Sequence, residues 1–218
     1  SAIFFTNVGH SNDRVSKYLD KAIQEKPLIG CYAYGNEIRA KYLEKLINYA
    51  GSNFQKAFLM SAGTEATEAA FKLMRMYGQK KSKNKLGILA FEGNWHGRTM
   101  GAQMMSGNKE QKSWIGKLDV DIHHLPFPYA WSIGDKSGEA FFHDSIKEIQ
   151  SHGIDVKNDL CGIMMETFQG WGAIFYPKDF VQAAENFCRE NDLLLTFDEM
   201  QSGFARTGKA FGYQHYDV

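Results

Sequence analysis

Three short and almost purely apolar runs, GILAF at 87–91, CGIMM at 161–165 and LLLTF at 193–197, constrain this chain more than any other feature. Runs of that length, bounded by turn residues and separated by helical periodicity, read as strands buried on both faces. Strands that alternate with helices predict a mostly parallel central sheet covered on both sides, a three-layer α/β sandwich. The pattern places helices at Asn12–Gln24 (stopped by Pro27), Asn36–Ala50, Thr64–Tyr77, Gly101–Met105, Glu139–Gln150 and Lys178–Asn191. Strands are expected at Ala57–Met60, Gly87–Phe91, Val120–Leu125, Gly162–Glu166 and Leu193–Asp198. No repeat or low-complexity linker interrupts the series.

Composition removes several function classes. Lys plus Arg number 25 and Asp plus Glu 25 in 218 residues. A formal charge of zero supplies no field to hold a phosphodiester backbone or an anionic membrane surface, so neither nucleic acid nor membrane is an expected partner. No apolar run approaches a membrane span, and Ser1 is not followed by a secretory leader pattern. Cys31, Cys161 and Cys188 are odd in number and without CxxC spacing, so they read as buried, reduced thiols of a cytoplasmic protein.

In an open parallel sheet, ligands bind off the carboxyl ends of the strands. The segments expected there are SAGTE at 61–65, EGNWHGRT at 92–99, ETFQGWG at 166–172 and DEMQSG at 198–203. All four concentrate Gly, carboxylate, amide, His or Trp. SAGTE runs into a helix, whose first-turn N–H groups beside Gly63 and Thr64 suit an anion such as a phosphate. The same residues also suit an ordinary helix start, with Thr64 and Glu65 complementing the dipole. Asp198 and Glu199 end a strand, where a carboxylate can bind a metal, neutralise a heterocyclic cation or cap a loop. Trp95, beside His96, can stack on a planar ring or fill a core gap. GFARTGKA at 203–210 imitates a Walker A, but Ala210 replaces the magnesium-binding hydroxyl and no helical period follows. Adjacent His123 and His124 face opposite sides of a strand and cannot share a metal, and no metal site is expected. An anion cradle, a flat aromatic, a carboxylate and the amides of Gln169 and Gln201 together fit a planar phosphorylated cation, of which pyridoxal 5'-phosphate is one.

Five ordered stretches resemble the class-III pyridoxal-phosphate-dependent aminotransferases of fold type I, the family of ornithine, acetylornithine and 4-aminobutyrate aminotransferases. NVGHSNDRV is similar to GHxHPxV, FLMSAGTEATEAAFKLMR to SGxEAxExAxKLAR, FEGNWHGRT to FxxxYHGRT, ETFQGWGA to EPxQGxGG, and DEMQSGFARTG to DEVQTGxGRTG. The resemblance implies that backbone N–H groups at Gly63 and Thr64 hold the cofactor phosphate. It implies Trp95 and Met200 against the two faces of the ring, and His96 in the same cofactor-binding set. Asp198 is implied at the pyridine nitrogen, Gln201 at the phenolic oxygen, and Glu166 along the substrate pocket. Residues 1–30 would then belong to a small domain and residues 31–218 to the large cofactor domain, incomplete at its C-terminus. The expected reaction moves an amino group from an amine or ω-amino acid to a 2-oxo acid, in a homodimer when complete. The family's Schiff-base lysine has no counterpart here, since Lys209 falls inside the RTGxxF-like stretch. The chain as given is therefore expected to be inactive; a same-fold decarboxylase or aminomutase, or a non-catalytic pseudoenzyme, is the alternative.

Overall fold

The computed structural model describes residues 6–26 and 34–218, so Pro27, Cys31 and Tyr32 lie outside the described residues. Helix α1 (Asp13–Gln24) starts where Asn12 Oδ1 accepts the N–H groups of Arg14 and Val15. Helix α2 (Glu37–Ala50) is capped in the same way by Asn36 and ends at Gly51. Neither helix buries a residue; Val15, Tyr18, Leu19 and Ile23 are exposed along α1. Helix α3 (Gly63–Gln79) follows, then β1 (Gly87–Phe91), α4 (Met100–Met105) and β2 (Ile122–Leu125). Next come α5 (Ala130–Ile133), α6 (Gly138–Ser151), α7 (Val156–Asp159) and β3 (Leu160–Glu166). A small antiparallel pair, β4 (Phe168–Gln169) with β5 (Ile174–Phe175), precedes α8 (Lys178–Glu190) and β6 (Leu194–Asp198).

The four long strands form one parallel sheet in the order β2-β1-β3-β6. Side chains alternate across it into two cores. Leu89, Phe91, Ile163 and Met165 pack with Phe142 of α6 and Phe180 and Phe187 of α8. Ile88, Ala90, Cys161 and Met164 pack with Met74 of α3 and Met105 of α4. The two cores make the three-layer sandwich that the apolar runs predict. Register slips once, between Gly87 and Ile88. There β1 advances one residue while β3 advances two, so Leu160 and Cys161 can enter opposite cores without disturbing Ile163 and Met164. The chain passes from β1 to β2 on one side and returns to β3 on the other, so the sheet's switch point lies between β1 and β3. That point is where a crevice opens at the carboxyl ends of an α/β sheet.

One predicted strand does not form. Residues 57–60 have no ladder partner among the described residues, and Phe58, Leu59 and Met60 are 82, 42 and 41% exposed. An apolar run becomes a strand only beside an edge that can accept its hydrogen bonds. Here the run faces Leu195 and Phe197 of β6 across an open groove of about 600 Å³. The strand predicted from Val120 begins at Ile122, because Val120 is exposed in the preceding turn.

Candidate active site

Four loops meet at the carboxyl end of the sheet, and hydrogen bonds join each of them to a neighbour. Helix α3 enters first. Its N-cap position, Ala62, offers no side-chain acceptor, so the first-turn N–H groups beside Gly63 and Thr64 carry no side-chain cap. The Thr64 hydroxyl shares a 2.7 Å hydrogen bond with the Thr99 hydroxyl and accepts the Thr99 N–H at 3.2 Å. Glu68, one turn on, accepts the N–H groups of Gly101 and Ala102 and so caps α4. Gly97 makes this approach possible. Its φ of +137° suits glycine, and a Cβ there would stand 2.2 Å from Thr64 Oγ1.

The loop after β1 carries Trp95, His96 and Arg98. The Trp95 ring is half-buried, and the Arg98 guanidinium lies 5.4 Å from its centroid. The Trp95 N–H donates to Glu166 Oε2 at 2.9 Å. Glu166 is 3% exposed and lies beneath the loop that carries Trp95. Burial pushes its carboxyl up to about 8; the nearby Asp198 carboxylate adds to that, against the Trp95 and Gly170 N–H groups, which lower it. Glu166 is accordingly a protonated acid near neutral pH.

Asp198 ends β6 with its side chain 5% exposed. Its Oδ1 accepts the Met200 N–H at 3.1 Å, and its Oδ2 lies 2.9 Å from His96 Nδ1. The next residues of that loop reach both ends of the site. The Met200 side chain lies over Gly63, where a Cβ would come within 2.6 Å of its methyl carbon. The Gln201 amide packs on Gly170, and its Oε1 is buried without a partner among the described residues. Gln169, expected to offer its amide to a ligand, is instead spent on the fold. It donates to the Glu92 carbonyl and accepts from the Tyr129 hydroxyl, at 2% exposure. Lys209 is exposed, and no α-helix follows it, as the imperfect Walker A pattern requires.

The structure thus gathers Gly63, Thr64, Trp95, His96, Glu166, Asp198, Met200 and Gln201 at one edge of one sheet. It also assigns work to residues that the pattern passes over. The Thr67 hydroxyl donates to the His96 carbonyl at 2.7 Å, and Ser106 Oγ accepts the His96 N–H at 2.9 Å. Thr99 and Arg98 stand in the same HGRT run as His96 and could have been singled out there. Ser106 carries no signal in sequence, since only the return of α4 brings it to the loop. His124 is held away from the site, with Nε2 at 3.0 Å from the Ser106 carbonyl and 3.0 Å from Lys112 Nζ. Burial lowers it to about 4.

A family profile described as aminotransferase class-III matches residues 1–218. The chain belongs to the class-III aminotransferases. It is 32% identical over its whole length to a probable 4-aminobutyrate aminotransferase of Bacillus subtilis, of which it covers 50%. It is 30% identical over 98% of its length to the mitochondrial acetylornithine aminotransferase of Candida glabrata, of which it covers 48%. Solved folds agree. A transaminase from a marine Virgibacillus superposes with a TM-score of 0.88 at 23% identity, over all of this chain and 48% of the other. An amine transaminase from an uncultivated Pseudomonas species, in a PLP-bound form, gives 0.87 at 22% identity, over 99% of this chain and 50% of the other. This class-III chain spans about half the length of the curated relatives it matches.

Proposed function

We propose that this chain forms the pyridoxal 5'-phosphate-binding part of an aminotransferase that moves an amino group from an amine or ω-amino acid to a 2-oxo acid. The observation that carries the reading is the buried Asp198 carboxylate, held at a strand end within the loop cluster that contains the uncapped start of α3. The residues present fit such a cofactor. Backbone N–H groups at Gly63 and Thr64 suit its phosphate, Trp95 and Met200 offer surfaces for its ring, and the unpartnered Gln201 Oε1 is poised for a donor. When bound, the cofactor supplies an electron sink at its ring. Asp198 holds a proton on the ring nitrogen, so that the sink stays cationic. Trp95 fixes the ring plane, and Glu166, protonated, keeps a second negative charge out of the cluster.

In this reading residues 1–30 belong to a smaller domain and 31–218 to the cofactor domain, supported by the absence of any buried residue in α1. The active form is a homodimer, and α2 with Tyr34 is part of its interface. Ile38, Tyr42 and Tyr34 are 49, 46 and 80% exposed, a cost that a partner surface would relieve. The compartment is the cytoplasm, in keeping with Cys161 and Cys188, which are free and buried. The test is an absorbance titration of the 218-residue chain with pyridoxal phosphate, followed by borohydride and peptide mapping. Non-covalent binding that Asp198→Ala abolishes, with no uniquely labelled lysine, is expected. Stoichiometric labelling of Lys209, or binding untouched by Asp198→Ala, overturns it.

A further inference from the structure

Helix α4 ends in carbonyls that no further turn of the helix can bond, and two basic side chains from elsewhere in the chain converge on them. Lys112, in the 3₁₀ segment Glu110–Ile115, is 5% exposed. Its Nζ donates to the Met104 carbonyl at 2.9 Å and lies 3.0 Å from His124 Nε2. The same Nε2 stands 3.1 Å from the Met105 carbonyl and 3.0 Å from the Ser106 carbonyl. These contacts cannot all be made in one charge state. A carbonyl only accepts, so Nε2 bonds it only while carrying a proton; an ammonium only donates, so it bonds Nε2 only when that nitrogen is bare. An uncharged amine removes the conflict, because it donates to the Met104 carbonyl and turns its lone pair toward the Nε2 proton. The end of α4 is also where the loop after β1 is pinned. Ser106 Oγ accepts the His96 N–H at 2.9 Å, and the Gly107 N–H donates to the Asn94 carbonyl at 2.7 Å. Trp95 stands between those two anchors.

We propose that Lys112 and His124 form a proton-linked latch on the C-terminal end of α4, closed when Lys112 is uncharged and opened when it takes a proton, and that the latch sets how firmly the loop holds Trp95. When closed, His124 carries its proton at Nε2 and holds the Met105 and Ser106 carbonyls. A proton taken from water by Lys112 turns the amine into a pure donor. His124 then gives up its Nε2 proton, takes one at Nδ1 and accepts from Lys112, so one proton enters the pair overall and the two carbonyls lose their donor. The surroundings favour this exchange over a second charge. Burial, then Lys109, lowers Lys112 to about 8, and burial, then Lys112, lowers His124 to about 4. His124 is therefore neutral where Lys112 titrates, and only its tautomer responds. His96, from the loop after β1, also opposes a charge on His124. α4 carries no ionisable side chain, Glu68 is engaged at its far end, Glu110 is exposed, and His123 lies on the other face of β2. The consequence for the cofactor rests on the reading above; the latch itself does not.

The tautomer of His124 is the test. In the unliganded 218-residue chain, ¹⁵N-detected imidazole spectra from pH 6 to 10 should show His124 neutral throughout, as Nδ1–H at the acid end and Nε2–H at the alkaline end. Protection of the His96 and Gly107 amides against hydrogen exchange should rise roughly tenfold across the same change. Lys112→Met keeps the length but cannot charge, so it should hold the Nε2–H form at every pH. His124→Gln sets an amide donor near the Nε2 position without a tautomer to exchange, and should remove the pH dependence of the protection. The cofactor's own titration cancels in the ratio of pyridoxal phosphate affinities of the unmutated chain and Lys112→Met. That ratio should be near unity at the alkaline end and fall several-fold at the acid end. One tautomer at all pH values, an imidazolium signature, or a tautomer change that persists in Lys112→Met overturns the latch. Failure of the unmutated chain to bind pyridoxal phosphate counts against the cofactor reading alone, because the tautomer and the exchange still decide the pairing.

Discussion

Strands β3 and β6 lie side by side in register and have opposite burial. Every residue of β3, Leu160–Glu166, is buried. In β6 the apolar residues Leu194, Leu195 and Phe197 are only half-buried, and the one buried position is the carboxylate Asp198. In β3 burial follows hydrophobicity, the usual way a parallel strand stabilises a core. In β6 the order is reversed, because its apolar flank opens on the groove toward residues 54–58 while its last residue turns into the loop cluster. A buried carboxylate with a histidine and one backbone N–H for company is costly to fold. Under the proposed function, that cost is borne to hold a carboxylate against the cofactor ring.

The largest expected effect tests the functional side of that contrast. In the active enzyme, Asp198→Ala should lower turnover by more than roughly 10²-fold, because an electrostatic partner of the reacting group is lost. Asp198→Glu should retain more, having kept the charge and misplaced it. Wild-type rates for the Ala variant would remove Asp198 from the chemistry. The structural side is tested by truncation. Ile163→Ala in β3 should cost about 2–5 kcal/mol in denaturant unfolding, and Leu195→Ala in β6 should cost clearly less, since part of its surface is already in water. Equal costs would mean that the groove is closed in solution.

Glu166, the end of β3, gives an intermediate effect with a defined sign. Its native value of about 8 lies above an unfolded value near 4.3. The folded state therefore holds a proton that the unfolded state has released between those values. Stability contributed by that proton is full below about pH 4 and is lost as pH rises toward 8. Each unit of separation is worth about 1.4 kcal/mol, so the loss is on the order of several kcal/mol. Glu166→Gln, which mimics the protonated acid, should flatten this limb of the stability profile, measured by thermal melts from pH 5 to 8. An unchanged slope would sink the assignment of the titrating group. Smallest is Trp95: replacement by Phe should leave cofactor affinity nearly intact, and Ala should cost about 0.5–1.5 kcal/mol beyond lost burial. Equal affinities for the two variants would exclude stacking.

Much of the layer architecture was legible because it depends on local pattern. Buried parallel strands must be continuously apolar, and helices must show their period, so GILAF, CGIMM and LLLTF announced the sheet without any knowledge of partners. The loop chemistry was legible too, since in such a sheet the order of strands and helices alone sends 92–99, 166–172 and 198–203 to one edge. Segment 57–60 was not. Its composition suits a strand, but strand formation needs a neighbour's hydrogen bonds, which no local pattern contains. The fates of Gln169, Glu166 and His96 were decided in the same way. A Gln can bond a ligand or a Glu92 carbonyl, a Glu can bond a side chain or a loop N–H, and a His can pair with a carbonyl or with a carboxylate. Residue type sets which hydrogen bonds each can make. Which of them are made depends on what the folded chain brings within about 3 Å, and for these three that was settled by Tyr129, Trp95 and Asp198, which stand 40, 71 and 102 residues away in the chain.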